Sequence, residues 1–230
     1  MIISIHQPNY LPWCGFFHKM SQSDQFVLLD VVPFSKNSYQ NRCRIKTPEG
    51  SSWLSVPVVT KGRLGQATSA VEISSSTKWA RKHWMTIEQR YRQAEHFDVL
   101  SRCVGPVLSR EWTLLTELTI TLIERLRDAL GLTVPLIRAS ELNVSGHGTE
   151  LLCAICVKLG ASIYLSGPTG RTYLDPAMFA SRGVDVAFHE FNHPVYTQAH
   201  GQFTAGLSVI DLLAHAGADA LEVLKAKECS

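Results

Sequence analysis

A chain of 230 residues that is 45% hydrophobic and 18% charged can bury a sizeable core, and it lacks the polar, highly charged composition of disordered chains. A formal net charge of +2 and a pI near 8.2 exclude a broad nucleic-acid-binding face, so any anion site must be local. There is no run of roughly 18 apolar residues, and Met1 to His6 has no basic segment leading into a long apolar one, which argues against membrane spanning and export. The expectation is one cytoplasmic domain over residues 1–230.

Met1 to Ile5 is a short apolar run that stops at His6-Gln7-Pro8-Asn9-Tyr10-Leu11-Pro12-Trp13, a strand entering a kinked loop. Gly15 to Ser21 reads as a short helix and Gln25 to Val32 as a buried strand. Asn41 to Thr47 and Ser52 to Val58 alternate around Pro48-Glu49-Gly50, which predicts a β-hairpin inserted over about residues 41–59. A further strand is expected over 70–74, followed by a helix with Thr77 as N-cap and Trp79, His83, Trp84 and Ile87 at helical spacing. Apolar positions from Val107 to Leu126 recur every three or four residues, predicting one long helix over about 104–130 that stops at Gly131.

Strands are then expected over 133–137, 163–165 and 184–188, with helices over 149–159, 176–181 and 207–216. This alternation predicts an α/β fold with a mostly parallel sheet, helices on both faces and an inserted hairpin. Ligands in such folds bind beyond the carboxyl ends of the strands, so the segments that follow strands are the ones to inspect.

In the first of these, prolines restrict the backbone around His6, Gln7, Asn9 and Tyr10, and an imidazole at a strand end can serve as acid or base. Lys36 to Lys46 is rich in donors. On a strand, Arg42, Arg44 and Lys46 share one face, and with Lys36 and Asn41 nearby that face suits a phosphate or carboxylate, or else is a solvated hairpin edge. Ser166-Gly167-Pro168-Thr169-Gly170-Arg171-Thr172-Tyr173 follows a strand and precedes a helix, an arrangement that favours anion binding by backbone N–H groups and Arg171. After the last expected strand, His193, Tyr196 and Gln198 are candidates to line the crevice.

His189 and His193 have metal-ligand spacing with Glu190 between them, but Pro194 opposes the helical geometry that would align them, and no metal or other cofactor is expected. The six cysteines are scattered, and Cys153-x-x-Cys156 lies in an apolar helix, so reduced structural thiols are expected. Trp79, Trp84 and Trp112 read as core or interface residues, and the number of tryptophans makes a homodimer an expectation.

His6 to Trp13 with Gly15-Phe16-Phe17, Asn41-Arg42 with Arg44-Ile45-Lys46, Tyr164-Leu165-Ser166-Gly167 with Tyr173-Leu174, and His193-Pro194 with Tyr196 and Gln198 occur in one order over residues 1–217. This pattern resembles the WbqC-like family. The resemblance implies a role beside enzymes of O-antigen and other bacterial surface-polysaccharide synthesis, such as transfer of an acyl or aminoacyl group, for example glycyl, to a nucleotide-linked amino sugar. Partners would then be a nucleotide-linked sugar and an acyl or aminoacyl donor. His6 and His193 are the candidate proton acceptors, and Arg42, Arg44 and Arg171 the candidate phosphate ligands. The opening strand, loop, helix and strand with the later Ser-Gly-x-x-Gly-Arg turn is also similar to the Rossmann-like nucleotidylyltransferase and pantothenate-synthetase group. That implies an ATP- or adenylate-handling enzyme as the alternative. A non-catalytic carbohydrate- or partner-binding module is the third reading.

Overall fold

The computed structural model describes residues 1–75 and 77–226, so Cys229 lies outside the described residues. In chain order the first half forms β1 (Ile2–His6), α1 (Cys14–Ser21), β2 (Gln25–Leu28), β3 (Arg42–Thr47), β4 (Gly50–Ser55), α2 (Trp79–Tyr91), α3 (Phe97–Cys103), α4 (Gly105–Leu108) and α5 (Leu115–Ala129). The second half forms β5 (Leu136–Arg138), α6 (Gly148–Lys158), β6 (Ile163–Ser166), α7 (Pro176–Ala180), β7 (Asp185–Phe188), α8 (Val209–Ala216) and α9 (Ala220–Lys225). These elements fall into two compact units, one of residues 1–7, 18–31 and 134–191, the other of residues 8–17, 32–133 and 192–230.

The first unit holds a five-stranded sheet in the order β5-β2-β1-β6-β7, every neighbouring pair parallel. Parallel strands buried on both faces need continuous rather than alternating apolar residues, and Ile3–Ile5, Phe26–Leu28 and Tyr164–Ser166 are buried without a break. The register sets Ile3 beside Gln25 and Tyr164, Phe26 beside Leu136, and Ile163 beside Asp185. Counted along the chain, the order is 3-2-1-4-5, so strand order reverses between β1 and β6. In an open α/β sheet the ligand crevice opens at such a reversal. The α/β fold with a mostly parallel sheet is therefore present. Within α6, Cys153 and Cys156 are fully buried, and burial pushes the Cys156 thiol up to about 12. All five described cysteines are unbridged.

The second unit contains the antiparallel hairpin β3–β4 as a separate two-stranded sheet, with helices α2 to α5, α8 and α9. Cys43 and Ile45 point to the core, while Arg42, Arg44 and Lys46 share the opposite face. The single long helix expected over 104–130 is interrupted. Leu114 is extended, and the chain here is held by other partners: Ile73 N–H donates to Thr113 O at 2.8 Å, Leu115 N–H donates to Val71 O at 2.8 Å, and Glu72 bridges Leu114. Those backbone groups cannot also serve a helix, so α4 stops at Leu108 and α5 starts at Leu115.

The strand expected over 70–74 is reduced to isolated bridges, Glu72 with Leu114 and Ile73 with Val58. Helix α2 starts one residue later than expected, with Lys78 rather than Thr77 at its N-cap position. Among the described residues, no helix is long and apolar enough to cross a membrane.

Candidate functional site

The carboxyl end of β1 carries His6, half-buried, at the reversal of strand order. Its Nδ1 donates to Gln7 O at 2.9 Å, which makes Nε2 the basic ring nitrogen. Burial, and then the nearby Lys19 charge, lowers the His6 pKa to about 3, so the imidazole is neutral across the physiological range. The hydrogen bond to Gln7 and the His189 ring act in opposite directions and are smaller effects.

Lys19 is buried in the last turn of α1 and donates from Nζ to Ile5 O at 3.0 Å. Its ammonium lies 5.6 Å from the centre of the Phe26 ring. Desolvation brings its pKa down to about 7, which is where a group that exchanges protons near neutrality should sit. Beside it, His18 Nδ1 and His189 Nε2 are 2.7 Å apart. His189 directly follows β7 and is buried, and burial, His18 and Lys19 together lower its pKa to about 4. His6, His18, Lys19 and His189 thus form a cluster of basic side chains in which the His6 and His189 rings are held neutral.

The turn after β6 supplies the other side of the strand reversal. Ser166 is buried and donates from Oγ to Gly167 O at 3.2 Å. Residues 168–172 then turn as a 3-10 helix. A Cβ on Gly170 would fall 2.2 Å from Ser166 Oγ, so only glycine fits there. The exposed guanidinium of Arg171 stacks 4.4 Å above the Phe188 ring and stands 3.6 Å from Glu190 Oε1. Tyr173 is exposed, and its carbonyl accepts from Thr149 Oγ1 at 3.2 Å. The start of α7 is closed by the Asp175 carboxylate, which accepts from the N–H groups of Ala177 and Met178, so a ligand anion at this turn would meet Arg171 rather than the helix end.

The other sequence candidates lie in the second unit. Asn9 is buried, and Tyr10 is fully buried with its hydroxyl 2.9 Å from His83 Nδ1. That bond, together with edge contact to Trp79, accounts for Tyr10 as a core residue. Asn41 donates from Nδ2 to Val56 O at 3.0 Å, and Lys36 is exposed. Arg44 donates to Ser51 Oγ from Nε at 3.2 Å and from Nη2 at 2.6 Å, while Arg42 stacks 4.2 Å from the Trp53 ring. Lys46, on the same face, is buried and donates to Thr204 Oγ1 at 2.9 Å and to Gln202 O.

His193 donates from Nδ1 to Pro194 O at 2.9 Å and stacks on Tyr196, whose hydroxyl donates to Asp211 Oδ2 at 2.9 Å. Gln198 clamps its own loop, accepting from Thr204 N–H at 2.8 Å and donating to Thr204 O at 3.1 Å. The structure therefore groups His6, Gln7, Ser166, Gly167, Arg171 and Tyr173 in the first unit, and Asn9, Tyr10, Lys36, Asn41, Arg42, Arg44, His193, Tyr196 and Gln198 in the second. Sequence reasoning passed over His18 and Lys19. The available signal was two adjacent basic residues inside an otherwise apolar helix. Among the described residues, no group of three or more His, Cys, Asp or Glu side chains could hold a metal ion, and His189 pairs with His18 rather than His193.

The WbqC-like protein family matches residues 7–223, most of both units. The chain belongs to this family. A relative from Mycobacterium tuberculosis, named uncharacterized protein Rv1507c, is 32% identical over 225 residues, which is 97% of each chain. No solved structure matches this family member.

Proposed function

We propose that this WbqC-like protein is an acyl- or aminoacyltransferase, for example a glycyltransferase. Its acceptor is a nucleotide-linked amino sugar of bacterial O-antigen or other surface-polysaccharide synthesis. The observation that carries the reading is the His6 imidazole, neutral and fixed in one tautomer at the carboxyl end of β1 where strand order reverses.

The sugar amine attacks the carbonyl carbon of an activated donor, a thioester or an ester, and forms the C–N bond. The amine proton passes to His6 Nε2. Collapse of the tetrahedral intermediate breaks the C–S or C–O bond, and the imidazolium returns the proton to the leaving group, so His6 ends as it began. A negatively charged substrate offsets the Lys19 field and raises the basicity of His6 when the reaction needs it. Arg171 is the cation nearest the turn after β6 for balancing that charge.

The test is incubation with nucleotide-linked amino sugars and a panel of acyl thioesters and aminoacyl donors, read as mass gain on the sugar. His6→Gln should abolish the product while leaving the melting transition in place. No product with any donor, and no thermal shift with any nucleotide sugar, would defeat the proposal.

The 3-2-1-4-5 strand order with a Ser-Gly-x-x-Gly-Arg turn after β6 favours a second reading, an ATP- or adenylate-handling enzyme. Release of pyrophosphate from ATP and a carboxylic acid separates it from the first.

A further inference from the structure

The hairpin unit carries a chain of ring contacts that reaches its surface. Trp13 and Tyr39 have ring centres 4.9 Å apart, and Tyr39 and Trp53 5.6 Å apart. Arg42 extends the series with its guanidinium 4.2 Å from the Trp53 ring. Tyr39 and Trp53 are 38% and 43% exposed, so part of each ring is open to a ligand.

The strand register explains how the pieces meet. Trp53 on β4 stands directly opposite Arg44 on β3, so its side chain emerges on the face that also carries Arg42. Among the described residues Arg44 is held by the neutral Ser51 hydroxyl, and neither arginine has a carboxylate partner. Lys36, exposed in the loop that leads to Tyr39, adds a third cation without one. The Arg42 Nε is buried and makes no hydrogen bond among the described residues, so the Trp53 ring rather than an acid positions this guanidinium.

From this juxtaposition of adjoining, tilted and partly exposed rings with guanidinium groups that lack a carboxylate partner on one hairpin face, we propose that Tyr39, Trp53, Arg42 and Arg44 form a binding site for a nucleoside diphosphate. The base stacks on the Tyr39 and Trp53 rings, and the diphosphate takes the guanidinium donors. Rings alone would accept any flat apolar group, and cations alone any anion; a ligand that needs both is a flat heterocycle carrying phosphates. The inference goes beyond the transfer chemistry proposed above and stands if that chemistry fails.

The experiment titrates the full-length protein with uridine, adenosine, guanosine and cytidine diphosphates, following tryptophan fluorescence and heat. Parallel titrations use the nucleosides without phosphate, inorganic pyrophosphate and a free amino sugar. At least one nucleoside diphosphate should bind more tightly than its nucleoside and than pyrophosphate. Trp53→Ala and Tyr39→Ala should each weaken it by roughly 5- to 150-fold, the range of base–aromatic stacking, whereas Trp53→Phe keeps most of the affinity. Arg42→Ala with Arg44→Ala should remove the advantage of the diphosphate over the nucleoside. Thermal melts confirm that each variant is folded; both rings are exposed enough to be truncated without emptying the core.

Nucleotide binding that is unchanged in Trp53→Ala and Tyr39→Ala overturns the site while leaving the transferase reading intact. So does binding of pyrophosphate as tight as that of every nucleoside diphosphate. A protein that binds no nucleoside diphosphate overturns the site and also removes the nucleotide from the proposed substrate.

Discussion

His18 Nδ1 lies 2.7 Å from His189 Nε2, so the two imidazoles share a single proton between them. Burial disfavours an imidazolium at His189, the His18 ring and the Lys19 ammonium beside it add to that effect, and the pKa of His189 falls to about 4.

Acid should therefore destabilise the protein early. His6 is lowered from 6.5 to about 3, and His83 and His189 from 6.5 to about 4. Each folded-state value lies below the unfolded one, so the unfolded chain binds more protons between the two. The stability contributed by keeping these rings neutral is complete above 6.5 and is lost as pH falls toward 4 and then 3. The melting temperature should drop over that window by roughly 2–4 °C for each kcal/mol lost. His189→Gln and His83→Gln should flatten the slope; a melting temperature constant from pH 7 to 4 would contradict the assignment.

Replacing Lys19 by methionine tests the field that acts on the cluster. Without the ammonium, the His6 and His189 pKa values should both rise toward 6.5, measured by NMR titration of their ring protons. Stability near neutral pH should change by only about 1 kcal/mol, because one hydrogen bond to Ile5 O is exchanged for relief from burying a charge. Histidine titrations that do not move would mean that burial alone sets them.

Gly170→Ala should cost about 1–3 kcal/mol in chemical denaturation, since the new methyl would sit 2.2 Å from Ser166 Oγ and 2.9 Å from Leu174 Cδ1. Removing the hydroxyl with Ser166→Ala should recover part of that loss. The double variant should thus be more stable than the sum of the two single changes predicts. Additive losses would place the strain elsewhere.

Asp211 is fully buried, and burial raises its pKa despite the Tyr196 hydroxyl bonded to it. An acid raised on folding contributes stability below its unfolded value near 3.8, and that stability is lost as pH climbs through the folded value. Asp211→Asn removes this dependence and should raise the melting temperature at pH 7 to 8 more than at pH 5. Tyr196→Phe should act oppositely, costing about 1–3 kcal/mol by removing one of the tyrosine hydroxyls that hydrogen-bond the buried Asp211 carboxyl.

The parallel sheet was legible because strands such as Ile2–His6 and Gln25–Leu28 are short apolar runs bounded by turn residues. The shared face of Arg42, Arg44 and Lys46 followed from a period of two and holds in the hairpin register. The interruption at residues 109–114 was not legible. Its cause is a long-range pairing of Glu72 and Ile73 with Thr113 and Leu114, and periodicity carries no record of tertiary partners. For the same reason His18 and Lys19 passed as ordinary helix residues. Their chemistry comes from where β1 and β7 end, and local sequence does not encode that. The rings of Trp13, Tyr39 and Trp53 are separated in the chain, and only the hairpin fold brings them into contact.

Phe26 on β2 pairs with Leu136 on β5, yet residues 32–133 intervene, and all of them belong to the other unit. During synthesis the outer rim of β2 must therefore wait, bonded to water and not to a neighbouring strand, while about a hundred residues emerge. Closing so long a detour is entropically slow, and an open strand rim in the meantime invites pairing with a neighbouring nascent chain. Poor recovery at high expression rates, relieved by slower translation or lower temperature, is the outcome this topology leads one to expect.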